Sequence, residues 1–105
     1  RVDLVVGIAY DADIQQAREV ILDVLKADER VMDDPEPVVK VLELGGSSVD
    51  LAVRPWVSAD DYWPVRLVMY EEIKNALDDA GIGIPFPQRD VHLFTENTGD
   101  AGAEG

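Results

Sequence analysis

Val38-Val39-Lys40-Val41-Leu42-Glu43-Leu44, then Gly45-Gly46-Ser47-Ser48, then Val49-Asp50-Leu51-Ala52-Val53-Arg54-Pro55-Trp56-Val57, is the stretch on which the fold turns. Two apolar-rich runs with several β-branched residues, separated by four turn-forming residues, predict an antiparallel hairpin. In its second strand Val49, Leu51 and Val53 share one face, while Asp50, Ala52, Arg54 and Trp56 share the other. Pro55 has no N–H to give to a ladder, so regular pairing is expected to weaken there.

Working outward toward the N-terminus, Val2 to Tyr10 alternates. Val2, Leu4, Val6, Ile8 and Tyr10 fall on one face and Asp3, Val5, Gly7 and Ala9 on the other, the pattern of a strand. Asp11-Ala12-Asp13 stops it, and Asp13 with Gln16 forms a capping box that starts a helix at Ile14. Ile14, Ala17, Ile21, Val24 and Leu25 recur at helical spacing as far as Ala27. Residues 28–37 read as a loop closed by Asp33-Asp34-Pro35-Glu36-Pro37, with Val31 and Met32 expected to turn back to the core.

Toward the C-terminus, Ser58 to Asp61 leads into a second helix, and Pro64 fits only in or before its first turn. Val65, Met69, Ile73, Ala76, Leu77 and Ala80 make its apolar stripe, and Gly81 stands where a left-handed cap is wanted. Ile82 to Gln88 must be extended, because Pro85 and Pro87 push the residues before them out of helical conformation. Arg89 to Phe94 reads as a last short strand, and Thr95 to Gly105, with no aliphatic core formers, as a disordered tail. The order β-α-β-β-α-β with right-handed crossovers defines an α+β, ferredoxin-like sandwich over residues 1–94, two helices on one face of a mostly antiparallel sheet. The other face presents Asp50 and Arg54 beside the ring of Trp56. A large ring and a fixed charge there need something to cover them, which makes Arg54 and Trp56 candidate intersubunit contacts.

A chain of 105 residues, 47% apolar and 30% charged, has the composition of one folded domain. No stretch approaches the roughly 18 apolar residues of a membrane span. The start on Arg1-Val2-Asp3, without an initiator methionine or a signal pattern, reads as a cut from something longer. There is no cysteine, so neither disulfides nor thiolate metal sites are available. The formal charge of −13 repels nucleic-acid phosphates and anionic lipid and favours cations.

Chemistry-bearing patterns are sparse. His92 is the single histidine, with no second ligand to share a metal. Ser47-Ser48 and Ser58 do not sit in a nucleophile elbow. Gly81-Ile82-Gly83 follows a helix instead of ending a strand, so it is no dinucleotide fingerprint. The pairs Asp33-Asp34, Asp60-Asp61 and Asp78-Asp79 read as loop solvation, helix N-terminal charge and exposed helix surface. Asp78 and Asp79 oppose the dipole at a helix end and are the pair for which a counter-ion is worth testing. No catalytic residue, cofactor or metal site is assigned.

Four stretches resemble the cytoplasmic part of MscS-like mechanosensitive channels. They are Gly7-Ile8-Ala9-Tyr10-Asp11-Ala12-Asp13-Ile14, Glu43-Leu44-Gly45-Gly46-Ser47-Ser48-Val49, Arg54-Pro55-Trp56-Val57, and Ala80-Gly81-Ile82-Gly83-Ile84-Pro85-Phe86-Pro87-Gln88-Arg89-Asp90-Val91. The resemblance covers about residues 1–94, and the last stretch is its most specific part. It implies a homo-heptameric channel of the bacterial inner membrane that opens under tension and releases ions and small osmolytes. The α/β domain then forms the lower wall of a cytoplasmic cage. Asp90, Val91, His92, Leu93 and Phe94 would exchange into an intersubunit barrel at its base, and seven acidic copies would surround one water-filled chamber. The competing readings are a free-standing ferredoxin-like module for a small ligand or regulation, and a small enzyme.

Overall fold

The computed structural model describes residues 1–85. Strand β1 (Leu4–Ile8) is followed by helix α1 (Ile14–Ala27), strands β2 (Val38–Leu44) and β3 (Val49–Arg54), a 3₁₀ turn (Ala59–Asp61) and helix α2 (Tyr62–Asp79). The three strands form one antiparallel sheet in the order β1-β3-β2. The predicted hairpin is therefore its centre and one margin, with Val41 opposite Leu51 and Leu44 opposite Val49. This is an α+β domain whose strand order agrees with the ferredoxin-like plan as far as the second helix. The expected last strand, Arg89 to Phe94, lies outside the described residues.

Alternation decides what is buried. Leu4, Val6 and Ile8 of β1, Val49, Leu51 and Val53 of β3 and Val39 of β2 meet Ala17, Ile21 and Leu25 of α1 and Val65, Met69, Ile73 and Leu77 of α2 in one core. Each large aliphatic side chain taken fully from water contributes about 1.5–3 kcal/mol, so this core is the main source of stability. Val31 joins it as expected, but Met32 stays 41% exposed. What Met32 gives the fold is its backbone N–H, which donates to the Trp56 carbonyl at 2.8 Å. Ala52 is buried although it lies on the helix-free face, because Val5 and Lys40 flank it in the ladder.

The ends of the elements follow local chemistry. Asp13 caps α1, its Oδ1 accepting from the Gln16 N–H at 3.1 Å. Strand β3 stops at Arg54, just before Pro55, and is shorter than the Val49–Val57 run that alternation suggests. Pro55 cannot donate, yet its carbonyl accepts from Val2 N–H at 2.9 Å and holds the N-terminus in line. Strand β1 likewise ends at Ile8 instead of Tyr10, since β3 supplies no partner before Val49. A register shift between Val41 and Glu43 makes Leu42 the extra residue of a bulge, and it is half exposed. Pro64 is the third residue of α2, where its missing N–H leaves no intrahelical bond unmade.

Gly81 has φ +77°, and the chain leaves α2 through two bonds: Gly81 N–H to the Asp78 carbonyl at 3.0 Å and Ile82 N–H to the Leu77 carbonyl at 2.9 Å. That is a Schellman cap, with Ile82 and Leu77 both buried beside it.

Candidate functional site

As far as Pro85, the sequence stretches singled out above gather at the two ends of the described sheet. At one end, Tyr10 leaves β1 and donates its hydroxyl to the Gly45 carbonyl in the β2–β3 turn. That turn is closed by Gly45 N–H donating to the Ser48 carbonyl at 2.8 Å, and Ser48 Oγ donates to Asp50 Oδ1 at 2.7 Å. Gly7 faces Asp50 in the ladder, and a Cβ there would stand 3.2 Å from Ser48 Oγ and 3.3 Å from Asp50 Oδ1. A side chain there would press on the serine–aspartate pair and make it give by a few tenths of an ångström. The segment after α2 joins the same end, the Gly83 carbonyl accepting from Ala9 N–H at 3.0 Å.

The opposite end belongs to Arg54, Pro55 and Trp56. Asp3 Oδ1 lies 2.9 Å from Arg1 Nε and 3.6 Å from Arg54 Nε, bridging the two arginines on the surface. The Arg1 guanidinium stands 5.8 Å from the centre of the Trp56 ring, a cation–π contact. Arg54 and Trp56, proposed from sequence as intersubunit contacts, are both half-buried and already have partners within the chain. The other residues expected to meet a neighbouring subunit, Asp90, Val91, His92, Leu93 and Phe94, lie outside the described residues.

The two outer strands of the described sheet are guarded from above. Arg18 of α1 donates from Nε to the Val39 carbonyl of β2 at 3.0 Å. Arg66 of α2 donates to the Asp3 carbonyl at 2.9 Å, and Tyr70 Oη accepts from Val5 N–H at 3.2 Å. Outward-facing backbone groups are thus satisfied by helix side chains, which blunts each strand as a template for indiscriminate pairing.

Among the described residues, no group of three or more His, Cys, Asp or Glu side chains is placed to hold a metal ion. Asp78, one of the acids set against the helix dipole, is paired with Lys74 at 2.7 Å. Asp28, at the C-terminal cap of α1, is the acid with the strongest environment. Arg30 donates to both of its carboxylate oxygens, at 2.9 and 2.7 Å. That hydrogen-bonded guanidinium, opposed by burial, holds the Asp28 carboxyl below its ordinary value of 3.8. A depressed carboxylate stabilises the fold above its unfolded-state pKa and loses that contribution as pH falls through the folded-state value. Asp28→Asn is therefore expected to lower the melting temperature at neutral pH, with the gap to the parent chain closing below about pH 4. A gap that stays constant down to pH 2 would show that the ionised pair is not its source.

The arrangement is a set of backbone joints and surface ion pairs. Residues 2–84 match the family model described as "Mechanosensitive ion channel MscS, C-terminal". An uncharacterised MscS family protein of Synechocystis is 45% identical over 98 residues, covering 93% of this chain and 33% of the relative. The small-conductance mechanosensitive channel of Edwardsiella ictaluri is 45% identical over 94 residues, covering 90% and 33% respectively. The crystal structure of Helicobacter pylori MscS in its closed state superposes with a TM-score of 0.77 at 32% identity, covering 83% of this chain and 35% of that one. The chain belongs to the MscS family of mechanosensitive ion channels and corresponds to its C-terminal domain. It spans about a third of the length of these two relatives, and none of its described helices is long and apolar enough to cross a membrane.

Proposed function

We propose that this chain is the cytoplasmic α/β domain of a homo-heptameric channel at the inner membrane, a non-catalytic element that forms vestibule wall and filters what reaches the pore. The family match over residues 2–84 carries this reading. In it the domain takes residues 1–94 with 95–105 as a tail, and Asp90 to Phe94 enter an intersubunit barrel. Arg54 and Trp56 border a neighbouring subunit, with ions and small osmolytes as the permeating species.

The formal charge of −13 gives the wall a physical role. Seven such domains around water would enrich cations and deplete anions within a Debye length, about 8 Å at physiological salt. The test is the reversal potential of the full channel under a salt gradient, with exposed acids neutralised in two sets. One set is Asp33, Asp34 and Glu36 of the loop before β2; the other is Glu71, Glu72, Asp78 and Asp79 of α2. Neutralising whichever set faces the chamber shifts selectivity toward anions. Unchanged selectivity in both sets would sink the filtering role.

A further inference from the structure

An apolar groove of about 300 Å³ runs between the outer side of β1 and helix α2. Val5, Val6, Tyr70 and Ile73 line it, and so do Ile84 and Pro85 from the segment after α2. A cavity of about 150 Å³ already holds a benzene molecule, so the groove has room for one aromatic side chain. Ala9 N–H donates to the Gly83 carbonyl at 3.0 Å, and Ile84 and Pro85 then share a groove with Val6 and Val5. The segment after α2 therefore turns back along β1, and the described chain ends in the groove wall. The next residue in the sequence is Phe86.

Backbone bonding cannot hold that segment on β1 as a regular fourth strand. At a two-residue period, the residues that follow Gly83 in facing β1 are Pro85 and Pro87, and neither has an N–H to donate. On β1 itself, the Val5 N–H is already taken by Tyr70 Oη at 3.2 Å. Side chains must do the anchoring. Ile82 is 5% exposed, Ile84 packs partly buried on the core, and Phe86 is the next member of the same alternating set. Pro85 and Pro87 hold Ile84 and Phe86 extended, which preserves that alternation. Lys74 also borders the groove, and its ammonium is met by Asp78 at 2.7 Å, so the charge at the rim is compensated. A ring tethered one residue from the groove wall is present there at high effective concentration, an advantage over any free solute or partner.

We infer that the Phe86 ring seats in this groove, against Val6, Ile73 and Tyr70, and pins the segment that leaves the domain after α2. The contact is internal to one chain and does not depend on the channel reading. In the full chain, isotope-edited NMR should show nuclear Overhauser contacts from the Phe86 ring to the methyl groups of Val6 and Ile73. Phe86→Ala should lower the melting temperature by about 4–8 °C, and Phe86→Leu by less than half as much. Val5 is a wall residue that is 49% exposed, so Val5→Ala leaves the core intact. Combined with Phe86→Ala, it should give a fall smaller than the sum of the two single falls, because both variants remove the same contact. Absence of the ring contacts overturns the seating, and so does strict additivity in the double variant. Contacts that arise only between differently labelled copies in a mixed sample put another chain's ring in the groove and overturn it as well.

Discussion

Leu51→Ala is expected to unfold the domain at much lower urea, with a loss of roughly 2–5 kcal/mol. Leu51 is 1% exposed, in the middle of the central strand, opposite Val6 on one side and Val41 on the other. It belongs to the core cluster that the sheet shares with both helices, so truncation removes its transfer free energy and leaves a cavity. A domain of this size has about 5–15 kcal/mol in total, so the loss is a large fraction of it. Leu44→Ala, at a side chain 68% exposed on the neighbouring strand, is the matched comparison and should change stability by no more than about 0.5 kcal/mol in the isolated chain. Equal losses at the two positions would contradict the packing described for the sheet.

Gly81→Val should cost roughly 1–3 kcal/mol, read as a fall in melting temperature of about 5–15 °C. The cause is conformational. A Cβ at Gly81 would meet nothing within 4 Å, but φ is +77°, a region that a β-branched residue avoids strongly. Relaxing φ would break the two bonds of the cap, from Gly81 to Asp78 and from Ile82 to Leu77, and swing the buried Ile82 off the core. Gly81→Asn separates this explanation from a packing one, since asparagine tolerates the left-handed region and should lose less than half as much. If asparagine and valine prove equally damaging, backbone conformation is not what the glycine supplies.

The features that could be read from sequence are those encoded within a few residues. Asp13 three places before Gln16, Gly81 after a helical stripe and Pro55 inside a strand run each carry their own boundary chemistry, and the structure puts the boundaries there. Ile14 to Ala27 and Val38 to Leu44 come out at the expected ends because periodicity is a local property. What was not legible is reach. Arg18 and Arg66 look like solvated helix charges until the sheet order places the Val39 and Asp3 carbonyls under them. Asp28 with Arg30 was hidden in a stretch read only as loop, although an acid at a helix C-terminus followed two residues later by arginine was a signal available to find it. The bulge at Leu42 depends on the partner strand's register, which no single run of residues contains. From sequence Trp56 is a ring in want of a cover, but Arg1 provides part of one across the chain.

The strand order also has a temporal side. β2 and β3 are joined by a four-residue turn and can zip as soon as both have been made, but β1 pairs with β3, Leu4 lying against Val53. At a synthesis rate of about 5–20 residues per second, the opening strand waits some seconds for its neighbour to leave the ribosome. During that interval Val2, Leu4, Val6 and Ile8, all destined for the interior, have helix α1 alone for shelter. Within this domain β1 precedes β3 in the chain, so its apolar face cannot be enclosed by the sheet until β3 has followed it.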